Sequence, residues 1–223
     1  MTLPDALLID MDGTLVDTEP YWEIAKIQLA AKYDIPFTSA DAAELVGKSM
    51  MVTVRALQDA GVPLNDEEIL LALVDDVERN VANGIPWISG AQDFLARMGE
   101  AGIPCALVTQ AWEPVARYIV DASNGVLQVL VSGSEVQHAK PHPEPYLLAA
   151  ERLGVDIHRC VAMEDSPSGV TSAETAGAQV IVMPGMHEVA DSPNRHPVKS
   201  LEAIDTALLA RVLGNAWTTH RST

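Results

Sequence analysis

The chain has 223 residues, of which 48% are hydrophobic, and 31 acidic against 14 basic side chains give a formal charge of −17. That is enough for one good core and a smaller second one, and the acidity argues against nucleic acid or an anionic membrane as partner. No apolar run approaches the ~18 residues a membrane span needs. The amino terminus has no basic stretch followed by an apolar one, so no secretory signal is expected. Cys105 and Cys160 sit in apolar runs and read as small core hydrophobes rather than a disulfide. A cytoplasmic protein, monomeric or a small homo-oligomer, is the expectation.

The first predicted strand is Ala6 to Ile9, and it runs directly into Asp10-Met11-Asp12-Gly13-Thr14. Two carboxylates two residues apart point to one side of an extended backbone. Gly13 lets the chain turn away tightly. From Asp17 to about Pro86 there is no convincing strand, only amphipathic stretches at Tyr21 to Tyr33, Ser39 to Val46, Met50 to Ala60 and Asp66 to Asn83. This stretch predicts a small helical cap domain, residues 17–86, inserted into a core made of 1–16 and 87–223. Hinges are expected at Asp17 to Pro20 and at Asn83 to Ile88.

Strands follow at Cys105 to Val108, Val126 to Val131, Cys160 to Met163 and Val180 to Met183. Helices alternate with them at Pro114 to Ala122, Pro143 to Leu153 and Pro167 to Ala176, each opening on a proline, which suits a first helical turn. Gly154 and Gly177 are stop signals, and Ser166 is a suitable cap. Strand–helix alternation means right-handed crossovers and a parallel sheet covered on both faces, an α/β, Rossmann-like core. The polar end, residues 216–223, reads as frayed.

An open α/β sheet places its chemistry at the carboxyl ends of its strands. Those ends here carry Asp10 and Asp12, then Thr109 and Gln110, then Lys140 in Lys140-Pro141-His142-Pro143, then Glu164-Asp165-Ser166. Carboxylates gathered without cysteine or organised histidine select hard cations, Mg²⁺ above all. A lysine and a hydroxyl beside them suit a phosphoryl group. His138 and His142 stand four apart, but Pro141 and Pro143 rule out the helix on which that spacing would make a metal pair.

These segments resemble the haloacid-dehalogenase superfamily of phosphohydrolases, in the β-phosphoglucomutase-like subgroup with a helical cap between the first and second motifs. The resemblance rests on Asp10 to Pro20, Thr109, Lys140-Pro141, Glu164-Asp165-Ser166, Gly169-Val170 and Ala176-Gly177-Ala178, in the family's order and spacing. It implies Asp10 as a nucleophile that forms an aspartyl-phosphate and ligates Mg²⁺. Asp12 would be general acid and then base, with its carbonyl on the metal. Thr109, Lys140 and the Gln110 backbone would hold phosphoryl oxygens, and Glu164 and Asp165 would complete or orient the metal site.

In the cap, Glu19, Trp22 and Lys48 are the candidates for substrate contact. Mutases of the subgroup carry a histidine near Trp22 and an arginine near Met50, so their absence favours hydrolysis. A Mg²⁺-dependent phosphatase of a small phosphomonoester, a sugar or polyol phosphate, is therefore expected. The alternatives are a phosphomutase and a non-catalytic phosphometabolite-binding module.

Overall fold

The computed structural model describes residues 2–46, 48, 50–185 and 188–219. The chain divides into two compact units, Met1–Asp17 with Trp87–Thr223, and Thr18–Pro86.

The first unit is built on a sheet of six parallel strands: β1 (Ala6–Ile9), β2 (Cys105–Val108), β3 (Leu127–Val131), β4 (Cys160–Glu164), β5 (Gln179–Val182) and β6 (Arg195–Pro197). Their spatial order is β3-β2-β1-β4-β5-β6. The chain therefore builds outward from β1 on one side, then returns to start β4 on its other side. That return is a topological switch point, the position beyond the strand carboxyl ends at which open α/β sheets bind their ligands. β1, β2 and β4 are buried along their whole length, as expected for apolar runs covered on both faces. Cys105 and Cys160 are both buried and free, and burial pushes both thiols up to about 12.

The helical unit contains α1 (Glu19–Ala31), α2 (Ser39–Ala43), α3 (Met50–Ala60) and α4 (Asp66–Asn83). Two of its helices start on capping boxes, Thr38 with Asp41 and Asn65 with Glu68, each satisfying backbone N–H groups from both directions. Leu29, Val54, Leu57, Ile69, Leu73 and Val77 are buried here, so this unit has an apolar interior of its own.

The sheet unit adds α5 (Ala91–Glu100), α6 (Glu113–Ala122), α7 (Glu144–Leu153), α8 (Pro167–Ala176) and α9 (Thr206–Thr219). The expected Pro114 and Pro167 fall in the first turns of α6 and α8; in α7 the expected Pro143 is the N-cap and Pro145 takes the first turn, while Gly154 and Gly177 cap α7 and α8. Val170 and Ala173 of α8 and Tyr146, Ala149 and Ala150 of α7 pack with Leu8, Ala106, Val108, Ala162 and Val180 as one core cluster. Helices α5 and α9 and strand β6 lie outside the sequence reading. The polar β6 joins the sheet edge by backbone pairing with β5, and Pro197, which lacks an N–H, is tolerated at such an edge. The end expected to fray is helical as far as Thr219, and residues 220–223 lie outside those described.

Candidate active site

The site begins with backbone geometry at the end of β1. Met11 accepts the N–H groups of Leu15 and Val16, which folds residues 11–16 into a tight loop. Gly13 takes φ +81° within it, and a Cβ there would overlap the Asp165 carboxylate. Only glycine combines that left-handed backbone with so close an approach. The sequence therefore brings the ends of β1 and β4 together by omitting a side chain, and β1 and β4 pair in register from Ala6–Cys160 to Ile9–Met163.

Lys140 lies at the centre. Its ammonium donates to Asp10 Oδ1 at 2.6 Å, to Glu164 Oε1 at 2.6 Å and to the Val108 carbonyl at 2.9 Å. An ammonium has three donors, so one lysine ties the ends of β1, β2 and β4 together. The side chain is only 2% exposed, against 10% for Asp10 and none for Glu164. Burial alone would lower the Lys140 pKa, but the two carboxylates outweigh it and raise it. The lysine is thus held as a cation. It also lies 5.3 Å from the centre of the Tyr146 ring, within cation–π range.

Glu164 is saturated from several sides. Oε1 also accepts the Tyr146 hydroxyl at 2.6 Å, and Oε2 accepts the Ser166 hydroxyl at 3.1 Å. Ser166 simultaneously caps α8 by accepting the Gly169 N–H at 3.1 Å. At Gly169 a Cβ would overlap the Glu164 carboxylate, so the helix can approach this acid only with glycine there. Tyr146 is a partner that the sequence reading missed. Its ring belongs to the apolar face of α7 and reads as core, and only the fold reveals that its hydroxyl ends on Glu164.

Three carboxylates surround that one ammonium. Oxygens of Asp10, Glu164 and Asp165 lie within 4.8 Å of one another. Asp10 is pushed well above the usual carboxylate range, by burial first and then by Glu164 and Asp165, with Lys140 opposing. Asp165 is raised to about 6, again mainly by burial and by Glu164. Buried acids that repel one another in this way form an oxygen-donor set short of positive charge, which a hard divalent cation fits. Asp12 is half-buried on the loop beside them.

At the end of β2, Thr109 is buried; its hydroxyl accepts the Ala111 N–H at 2.9 Å and its own N–H reaches the Val131 carbonyl. The next residue, Gln110, is exposed. A hydroxyl and backbone amides therefore follow the second strand, as phosphoryl binding would require. Asp10, Lys140, Glu164 and Asp165 come together, with Thr109 one residue beyond the Val108 carbonyl that Lys140 grips.

The other three candidates, Glu19, Trp22 and Lys48, belong to the helical unit. Glu19 accepts the buried Lys26 ammonium at 3.3 Å. Trp22 is half-buried on α1, and Lys48 is exposed; Gly47 and Ser49 beside it lie outside the described residues. At His138 and His142 no helix forms, as Pro141 and Pro143 lead one to expect, yet the loop brings their rings to 4.5 Å between centres.

Residues 7–183 match the family model described as haloacid dehalogenase-like hydrolase. Hexitol phosphatase A of Escherichia coli K12 is 34% identical over 192 residues, spanning 86% of this chain and 87% of that protein. A phosphorylated carbohydrates phosphatase of Thermotoga maritima is 30% identical over 79% of this chain and 83% of its own length. Among solved structures, CbbY from Rhodobacter sphaeroides in complex with xylulose 1,5-bisphosphate superimposes with a TM-score of 0.79 at 26% identity, over 90% of this chain and 96% of that one. With the motif order, the sheet topology and a match across most of its length in agreement, the chain belongs to the haloacid dehalogenase-like hydrolase family.

Proposed function

We propose that this protein is a Mg²⁺-dependent phosphatase of a small sugar or polyol phosphate that works through a phosphorylated Asp10. The single observation that carries the reading is the buried Asp10–Lys140–Glu164 arrangement with Asp165 beside it at the carboxyl end of the sheet. The names of the two phosphatase relatives support the substrate class.

In this reading Asp10, Asp165 and the Asp12 carbonyl hold Mg²⁺. Bound there, the ion supplies positive charge that offsets repulsion between the acids and a phosphate dianion. Glu164 was expected among the ligands, but both its oxygens already accept protein donors. We therefore assign it to holding Lys140. Lys140 in turn fixes Asp10 and offsets part of the negative charge the phosphate meets. All three of its donors are engaged, so contact with a phosphoryl oxygen exchanges one of them.

Asp10 attacks phosphorus while Asp12 gives a proton to the departing alkoxide. Asp12 then takes a proton from the water that cleaves the acyl-phosphate. The Thr109 hydroxyl and the Gln110 backbone steady the transferring group, as phosphoryl transfer relies on positioning and electrostatics. The helical unit is the proposed cap, with Glu19, Trp22 and Lys48 as its candidates for substrate contact.

The test is a panel of hexitol and sugar phosphates assayed for phosphate release with Mg²⁺, then with a chelator. Release that stops with chelator and returns with added Mg²⁺ is expected. Conversion of β-glucose 1-phosphate to glucose 6-phosphate without phosphate release would replace hydrolysis by isomerisation.

A further inference from the structure

The loop that carries Lys140 holds a second group of metal-ligating side chains, in which oxygen is not the only donor. His138 Nδ1 lies 2.8 Å from Glu144 Oε2, and His142 Nδ1 lies 3.9 Å from the same oxygen. One donor atom from each of the three residues falls within a 4.8 Å span. A tetrahedral ion about 2.0–2.2 Å from imidazole nitrogen and carboxylate oxygen spaces its ligand atoms by about 3.3 Å. The two observed separations bracket that value. We infer that His138, His142 and Glu144 form a binding site for a borderline transition metal, Zn²⁺ being the representative, distinct from the carboxylate cluster.

The carboxylate is already aimed. Glu144 Oε1 accepts the Gln137 N–H at 2.7 Å, and Oε2 accepts the His138 N–H at 3.0 Å. These bonds, together with His138, hold the acid below the usual carboxylate range. Backbone support of this kind is what orients metal-ligating acids. Binding replaces the proton between His138 and Glu144. It also releases the longer bond, 3.2 Å, by which His142 Nδ1 accepts the Glu144 N–H. His138 and His142 are 61% and 49% exposed, which leaves an open position for water. Donor type sorts the metals: two imidazoles and one carboxylate suit Zn²⁺, while Asp10 and Asp165 offer only oxygen and suit Mg²⁺. Because Lys140 lies between the two histidines, a metal here clamps the segment that positions it.

The test is Zn²⁺ titration of the tag-free protein in excess Mg²⁺, read by competition with a chromophoric chelator. One Zn²⁺ is expected to bind the parent, with affinity falling by roughly tenfold or more in His138→Ala and in His142→Ala. Asp165→Asn should leave it unchanged. The exposed histidine variants are checked by thermal melting without metal. Cu²⁺ electron paramagnetic resonance on the parent supplies a readout independent of any variant, with coupling to two nitrogens expected. Zn²⁺ affinity unchanged in the double histidine variant, or lost in Asp165→Asn alone, overturns the assignment, as does a Cu²⁺ spectrum without two-nitrogen coupling.

Discussion

Lys140→Met is the sharpest perturbation of this molecule, because it removes the one ammonium from among three acids. At 2.6 Å and an effective dielectric of ~20, each of its contacts with Asp10 and Glu164 corresponds to roughly 6 kcal/mol of attraction. Desolvation of the three groups opposes most of that sum. Removing one partner of a buried pair typically destabilises a protein by about 3–5 kcal/mol, because a charge is left uncompensated. That loss is expected in chemical denaturation of Lys140→Met, together with loss of phosphate release.

The double variant Lys140→Met/Glu164→Gln removes one of the two orphaned charges, Glu164, along with its partner, and leaves Asp10. It should recover stability relative to Lys140→Met, with a coupling of about 0.5–3 kcal/mol in the double-mutant cycle, while remaining inactive. Additive stabilities, or a Lys140→Met protein within ~1 kcal/mol of its parent, would refute the view that these charges act as one buried unit.

Tyr146→Phe deletes the hydroxyl bonded to Glu164. A hydrogen bond to a charged group is worth roughly 1.5–3 kcal/mol, so a lower denaturation midpoint is expected, with kcat reduced more than KM is changed. Gly13→Ala forces a side chain into a left-handed position against Asp165; the backbone alone costs roughly 1–2 kcal/mol, and the Mg²⁺ concentration for half-maximal activity should rise. Asn65→Ala removes one half of a capping box at the start of α4. It should lower the stability of the helical unit by about 1 kcal/mol, measured by denaturation with phosphate release retained.

What could be read from the chain and what could not divides along physical lines. β1 and α8 were legible because their signals are local: an unbroken apolar run ending in acids, and a Ser-Pro start with a glycine stop. The convergence of Asp10, Thr109, Lys140 and Asp165 followed from strand ends sharing one rim. Tyr146 was not legible, since a tyrosine on an apolar helix face looks like core until the partner of its hydroxyl is known. The same holds for the pairing of Glu164 with Lys140, which makes that acid a partner of the lysine as well as a neighbour of the Asp10 and Asp165 carboxylates. β6 escaped because Arg195-His196-Pro197 has no apolar pattern and joins the sheet through its backbone. The histidines escaped for a different reason: excluding a helix excludes only one way for residues four apart to meet.

The central claim, that Asp10 accepts the phosphoryl group, is tested most directly by acid-quenched single turnover with a hexitol phosphate and Mg²⁺, followed by mass spectrometry of the peptide containing Asp10. A transient phosphoryl adduct on Asp10, absent from Asp10→Asn, is predicted. Phosphate release at full rate while that peptide stays unmodified at every quench time would contradict it.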